Sequence, residues 1–131
     1  MFDLDDVLLK ASVSKIDLTQ VDEVVEVTKN GTVITLYVQL RPFALTMLQR
    51  LKPHFELIIF NNAPADYTNK LVSLLEKEEK FFSHVLSGDD CKTNQYLVAE
   101  VKDLTILMAG ATPRTNKDIL MIDNQTLCYM L

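Results

Sequence analysis

The sequence predicts an α/β fold: a Rossmann-like, mainly parallel sheet flanked by helices, with a β-hairpin inserted near the start. Three observations predict it. Phe55–Phe60 and Asp118–Ile122 are short and almost wholly apolar, as strands buried on both faces of a parallel sheet are. Between them, apolar residues recur at helical spacing. Helices alternating with buried strands are the pattern of an α/β protein.

Taken in order, Met1-Phe2 reads as the end of a first strand. Val24, Val25 and Val27 precede Lys29-Asn30-Gly31-Thr32, and Val33, Ile34, Leu36, Tyr37 and Val38 follow. Asn-Gly between β-branched runs is a strong hairpin signal, because a type I′ turn needs positive φ at both central residues. Pro42 suits the first turn of a helix, and Phe43, Leu45, Met47, Leu48 and Leu51 continue it to about Leu51. Phe55–Phe60 is the next strand, broken by Asn61-Asn62-Ala63-Pro64. Tyr67, Leu71, Leu74 and Leu75 form a second helix, whose charged end at Glu76–Lys80 is a solvated surface. Phe81–Leu86 and Tyr96–Val101 read as strands, and Asp118–Ile122 as the last, buried one.

The chain has 131 residues, one domain's length, and is read as a single domain over 1–131. Nearly half the residues are hydrophobic, which is enough for a core. Three Gly and four Pro exclude a low-complexity or collagen-like chain. A net charge of −5 argues against binding nucleic acid through a broad basic face. Cys91 and Cys128 match no zinc spacing and read as two thiols in a reducing compartment. No apolar run approaches a membrane span, and Met-Phe-Asp-Leu-Asp-Asp has neither the basic nor the apolar region of a signal peptide. The expectation is an intracellular protein, nuclear or cytoplasmic.

Three apolar runs end in a polar, oxygen-bearing residue: Met1-Phe2 at Asp3, Leu57–Phe60 at Asn61 and Ile119–Ile122 at Asp123. Ligands of open α/β sheets bind beyond the carboxyl ends of the strands. If these strands are neighbours, the three side chains meet in one crevice. Acidic residues also follow strands simply to start a loop or cap a helix. Asp3 and Asp5, two apart, face one side of an extended segment. Two such carboxylates need a cation or a shared proton, and a hard ion such as Mg²⁺ suits an all-oxygen site. A solvated acidic turn explains the motif equally well when it is taken alone.

Asp3-Leu4-Asp5-Asp6-Val7-Leu8 resembles the DxDx(T/V) signature of haloacid-dehalogenase-type phosphatases. The likeness narrows to the small, NLI-interacting-factor-like phosphatases of the RNA polymerase II C-terminal domain. Gly31-Thr32-Val33, Tyr37-Val38 and Arg41-Pro42 resemble that branch's hairpin and its passage into "RP". Phe55–Phe60 followed by Asn61 resembles its second motif. Phe82 with Cys91, then Val101-Lys102-Asp103-Leu104, resembles its "YVKDL" segment, and Ile122-Asp123-Asn124 its "VDNSP" motif. The resemblance implies a Mg²⁺-dependent protein serine/threonine phosphatase without a large cap. Asp3 would be the nucleophile forming an aspartyl-phosphate, and Asp5 the general acid and base. Mg²⁺ would sit on Asp3, Asp5 (through its backbone carbonyl), Asn124 and the adjacent Asp123. Asn61 and Lys102 would bind phosphate. The implied substrate is a phosphorylated protein or peptide like the polymerase tail.

The sequence departs from the family at several places. Asn61 replaces a Thr or Ser, although an amide can still donate to phosphate. Phe43 follows Arg41-Pro42 where a small or polar residue is usual. Gly88 falls near a phosphate-binding arginine position. Gln125-Thr126 replaces Ser-Pro, and about two extra residues lie between Cys91 and Lys102. His54 and His84 match no catalytic position. Tyr67 reads as a partly buried helix residue or a substrate-groove tyrosine, and Val13, Ile16 and Pro64 as core or as an apolar peptide pocket. The first strand and the tail after Asn124 are short for the family, so the expectation is a domain either unusually reduced or truncated at both ends. Reduced stability or completion by a partner chain follows. The alternative reading is a binding protein on the same fold, as in the mitochondrial inner-membrane translocase receptor.

Overall fold

The computed structural model describes residues 1–94, 99–109, 114–125 and 129–130. Its strands are β1 (Leu9–Ser12), β2 (Glu23–Lys29), β3 (Thr32–Leu40), β4 (Leu57–Phe60), β5 (Phe82–Leu86), β6 (Lys92–Asn94), β7 (Ala99–Asp103) and β8 (Tyr129–Met130). Its helices are α1 (Ala44–Leu51), α2 (Ala65–Leu75) and the single turn α3 (Thr105–Met108). The fold is α/β, as the sequence predicts.

The hairpin forms around Asn30 and Gly31, whose φ angles of 51° and 76° meet the type I′ requirement. Lys29 pairs with Thr32 across it. The hairpin is two-thirds of a larger unit, because β1 pairs antiparallel with the other edge of β3 and gives the order β1-β3-β2. This sheet is tied to α2 by Asp66, whose carboxylate accepts the Thr28 N–H at 3.0 Å.

The parallel centre is built from β4, all four residues of which are buried, and β5 beside it. Phe2 extends that sheet by a single residue on the far side of β4. Its N–H donates to the Ile58 carbonyl at 2.8 Å, and its carbonyl accepts from the Phe60 N–H at 2.9 Å. Past Phe2, the Asp3 N–H donates to Ile122 at 2.9 Å and the Ile122 N–H to Met1 at 3.0 Å. The order is therefore Ile122, Phe2, β4, β5, with parallel bridges from Phe2 to Ile59 and Ile122. α2 buries Thr68, Leu71, Val72 and Leu75, the i, i+3, i+4, i+7 stripe of a core-facing helix. At its end Glu76 accepts the N–H groups of Phe81 and Phe82 at 2.9 and 2.8 Å and so fixes the entry into β5.

Several expectations need correction. Asp118–Ile122 is not a buried strand: Asn116–Asp118 is a 3-10 turn, Ile122 alone bridges, and Leu120 is 74% exposed. The segment pairs with Met1–Asp3 through Ile122 and leaves its apolar side chains largely uncovered, and a run of apolar letters cannot reveal that. α1 starts at Ala44 rather than Pro42, because Phe43 takes a left-handed φ of 64°. Phe55 lies outside β4 and is exposed. The predicted strand Tyr96–Val101 falls partly outside the described residues, and β7 runs on to Asp103, which puts Lys102 inside a strand. Val13, Ile16 and Pro64 are exposed, so they are not core. Cys128 lies outside the described residues. Among those residues no helix is long and apolar enough to cross a membrane.

Candidate active site

Asp3, Asn61 and Asp123 follow three adjacent positions of the parallel sheet, so the condition on which the crevice depended is met. Asp3 is carried just past the Phe2 bridge, Asp123 just past the Ile122 bridge, and Asn61 just past β4. Lys102 enters from β7 and is fully buried. Its ammonium donates to Asp3 Oδ1 at 2.9 Å and to Asp123 Oδ2 at 2.6 Å. One lysine thus holds together two carboxylates that lie 99 residues before it and 21 residues after it in the chain. Asp123 Oδ1 also accepts the Gln125 N–H at 2.8 Å, which closes the turn that carries the exposed Asn124.

Asp5 is held differently. Asp6 takes φ 58°, its N–H donates to the Leu9 carbonyl, and its carbonyl accepts Arg41 Nη2 at 2.6 Å. The Arg41 N–H in turn donates to Leu8, so Arg41 braces the loop that presents Asp5. The Asp5 carboxylate turns toward α2 and β4. Tyr67 Oη donates to Oδ1 at 2.5 Å, and Asn61 Nδ2 to Oδ2 at 3.2 Å. Asn61 Nδ2 also donates to Thr68 Oγ1 at 3.2 Å, and that hydroxyl donates to the Ala63 carbonyl. Both amide protons of Asn61 are therefore engaged.

Burial pushes the Asp3 carboxyl above its ordinary pKa; the Lys102 hydrogen bond and charge pull it back, and the Asp123 charge pushes it up. Burial also raises Asp5, opposed by the bonds from Tyr67 and Asn61. Burial, then the bond to Asp5, raises Tyr67 far above a normal phenol, so its hydroxyl stays a donor. The Lys102 charge also lowers Asp5 slightly, and the Asp3 charge raises Tyr67 slightly.

A hard divalent cation needs oxygen donors. Among the described residues no group of three or more His, Cys, Asp or Glu meets where it could hold a metal ion. Mg²⁺ asks for less: one or two carboxylates, with waters and substrate oxygens completing the octahedron. Asp3 and Asp123 converge on one ammonium and supply only oxygen, so the residues present fit that ion.

The other sequence candidates fall outside this cluster. His54 and His84 are exposed, and His84 Nε2 lies 3.5 Å from Glu56 Oε1. Gly88 admits no side chain: a Cβ there would sit 2.4 Å from the Asn62 carbonyl oxygen, and the Gly88 N–H donates to Ala63 at 2.7 Å. The sequence points to Tyr67 only as a helix or groove residue and does not point to Thr68. The one signal available is position: both lie in the first turn of α2, which begins four residues after Asn61.

Fold and cluster together define an α/β protein with an acidic, lysine-bridged site at the carboxyl ends of a parallel sheet. The chain belongs to the NLI interacting factor-like phosphatase family, whose family model matches residues 1–131. It is 33% identical over 135 residues to CTD small phosphatase-like protein 3 of Caenorhabditis elegans, a match covering 100% of this chain and 43% of that protein. It is 28% identical over 130 residues to the human carboxy-terminal domain RNA polymerase II polypeptide A small phosphatase 1, covering 99% of this chain and 46% of the relative. The chain thus spans less than half the length of these curated relatives. Its fold is shared with a fission yeast RNA polymerase II CTD phosphatase solved bound to beryllium fluoride, with a TM-score of 0.75 at 22% identity over 95% of this chain and 36% of that one.

Proposed function

We propose that the chain is a Mg²⁺-dependent protein serine/threonine phosphatase that works through an aspartyl-phosphate on Asp3 and takes phosphorylated peptides like the polymerase tail. The observation that carries this reading is the Asp3–Lys102–Asp123 cluster, with Asp5 two residues on and held by Tyr67 and Asn61. The relatives' names, CTD small phosphatases among them, support it.

In this reading an Asp3 oxygen attacks phosphorus, the bond to the leaving oxygen breaks, and Asp5 gives that oxygen a proton. Water then attacks the phosphorus of the aspartyl-phosphate, Asp5 takes its proton, and the bond to the Asp3 oxygen breaks to release phosphate and the free carboxylate. Lys102 is close enough to Asp3 to offset charge on the phosphoryl oxygens. Mg²⁺, held by the Asp3 and Asp123 carboxylates with the Asp5 carbonyl and Asn124, would supply charge neutralisation between phosphate and carboxylate. Asn61 reaches phosphate by giving up its bond to Asp5. The exposed Val13, Ile16 and Pro64 suit contact with an extended peptide. A nuclear or cytoplasmic site of action follows from such a substrate.

A second reading, a binding protein with little turnover, is favoured by Asn61's engaged amide and by the lack of room for an arginine at Gly88. Hydrolysis of p-nitrophenyl phosphate with Mg²⁺ decides between them. The enzyme reading expects turnover that EDTA stops and that Asp3→Asn lowers by at least ~10³-fold, as loss of a covalent nucleophile does. A folded wild-type protein without turnover sinks it and leaves the binding reading.

A further inference from the structure

We infer that Tyr67 is the positioning residue for Asp5: its hydroxyl holds Oδ1 of that carboxylate and so leaves Oδ2 as the oxygen turned to the leaving group. This deepens the phosphatase reading and rests on it.

The geometry carries the argument. The two oxygens of Asp5 have different partners, the Tyr67 phenol at 2.5 Å and the Asn61 amide at 3.2 Å. The phenol bond is the shorter and comes from a side chain rooted near the start of α2. Thr68, next to Tyr67, is fully buried and bonded to both Asn61 and Ala63, which fixes the helix against the end of β4. Tyr67 therefore approaches Asp5 from a rigid element. The Asn61 bond is longer, and Asn61 is the group placed to turn toward a phosphate. When it does so, Oδ2 is released while Oδ1 stays on Tyr67. With Oδ1 held by the phenol, Oδ2 is the oxygen through which Asp5 gives a proton. That proton passes to the leaving oxygen as the phosphorus bond to that oxygen breaks and the bond to Asp3 forms, and Asp5 is left as the carboxylate that both donors can hold.

General-acid help matters little for a leaving group that departs readily as an anion and much for one that does not. The test uses Tyr67→Phe, which removes only the hydroxyl, with p-nitrophenyl phosphate and phenyl phosphate as substrates. It reads kcat/KM, which reports the step in which the leaving group departs. The expected result is a loss of about tenfold or more on phenyl phosphate, a part of the ~10²–10⁴-fold that a general acid supplies, and no more than about threefold on p-nitrophenyl phosphate. Equal losses on both substrates overturn the inference, because a merely structural role lowers both alike. A second readout needs neither metal nor turnover. With ¹³C at Cζ of the four tyrosines, the resonance that disappears in Tyr67→Phe must move in Asp5→Asn. A resonance that stays put overturns the clamp even if the enzyme is active. Normal clamp spectra without wild-type turnover overturn the phosphatase reading instead, and with it the catalytic use of the clamp.

Discussion

Lys102 is the side chain whose removal the structure makes most informative. Its side chain is 0% exposed, and those of Asp3 and Asp123 are 8% and 4% exposed. Lys102→Met keeps the apolar stem and deletes the ammonium. Two buried carboxylates then share a site with no cation, a situation that typically costs ~3–5 kcal/mol. A separate argument gives the same size. The site can always escape by binding one proton, and protonating an ordinary aspartate at pH 7, three units above its pKa, costs about 4 kcal/mol at 1.36 kcal/mol per unit. The expected loss is therefore about 3–4 kcal/mol at pH 7 in EDTA. Its pH dependence has a fixed sign. Asp3 already has a raised pKa in the folded state, so its contribution to stability is present below the unfolded value and is lost as pH rises through the folded one. Removing Lys102 raises that folded pKa further. The variant's deficit should therefore shrink by ~1.4 kcal/mol for each unit of acidification between pH 7 and about 5. Urea denaturation of both proteins at pH 7 and pH 5 measures it. A deficit under about 1 kcal/mol at pH 7, or one of equal size at pH 5, would refute the reasoning.

Two further outcomes concern backbone geometry. Phe43 is 83% exposed at φ 64°, so Phe43→Gly relieves left-handed strain while giving up little burial. It should stabilise the protein by about 1 kcal/mol, and a lowered thermal midpoint would show that the ring has a packing partner. Gly88→Ala should destabilise by ~1–3 kcal/mol, because the new Cβ meets the Asn62 carbonyl oxygen at 2.4 Å and overpacking costs that much. An unchanged melt would mean that the loop after β4 can move aside, and that a phosphate-binding side chain is possible there after all.

The parts legible in the sequence were those fixed by short-range chemistry. Asn30-Gly31 announced its turn because only certain residues accept two positive φ angles. β4 announced itself as four apolar residues in a row, and Asp3, Asn61 and Asp123 as the polar residues that stop apolar runs. What the sequence hid depends on neighbours far away in the chain. Leu120 reads as core but is exposed, because nothing in its letters says which side of the segment gets covered. Nothing around Lys102 in the sequence marks it as buried, yet it is fully buried, because the two carboxylates that accept it come from positions 3 and 123. Pro42 suggested a helix start that Phe43 delays. The resemblance to the phosphatase family supplied what local patterns could not, namely that these distant residues belong to one site.

Asp3 and Asp5 show most clearly why both levels are needed. In the sequence they are the same residue two places apart, and nothing local distinguishes them. In the fold they occupy different surroundings. Asp3 faces an ammonium, which favours the ionised form that a nucleophile requires. Burial pushes both carboxyls toward the protonated form; the difference is in what opposes it, since the nearest partners of Asp5 are two neutral donors, a phenol and an amide. Environments that separate two titratable groups are what assign acid and nucleophile in carboxylate chemistry. Exchanging the surroundings, rather than the carboxylates, is therefore what would scramble the roles. Tyr67→Phe loosens Asp5 and leaves the Lys102 contacts with Asp3 and Asp123 in place. Lys102→Met does the reverse. Under the proposed reaction, the first variant loses rate in proportion to how badly the leaving group needs a proton, and the second loses it for every phosphate monoester alike.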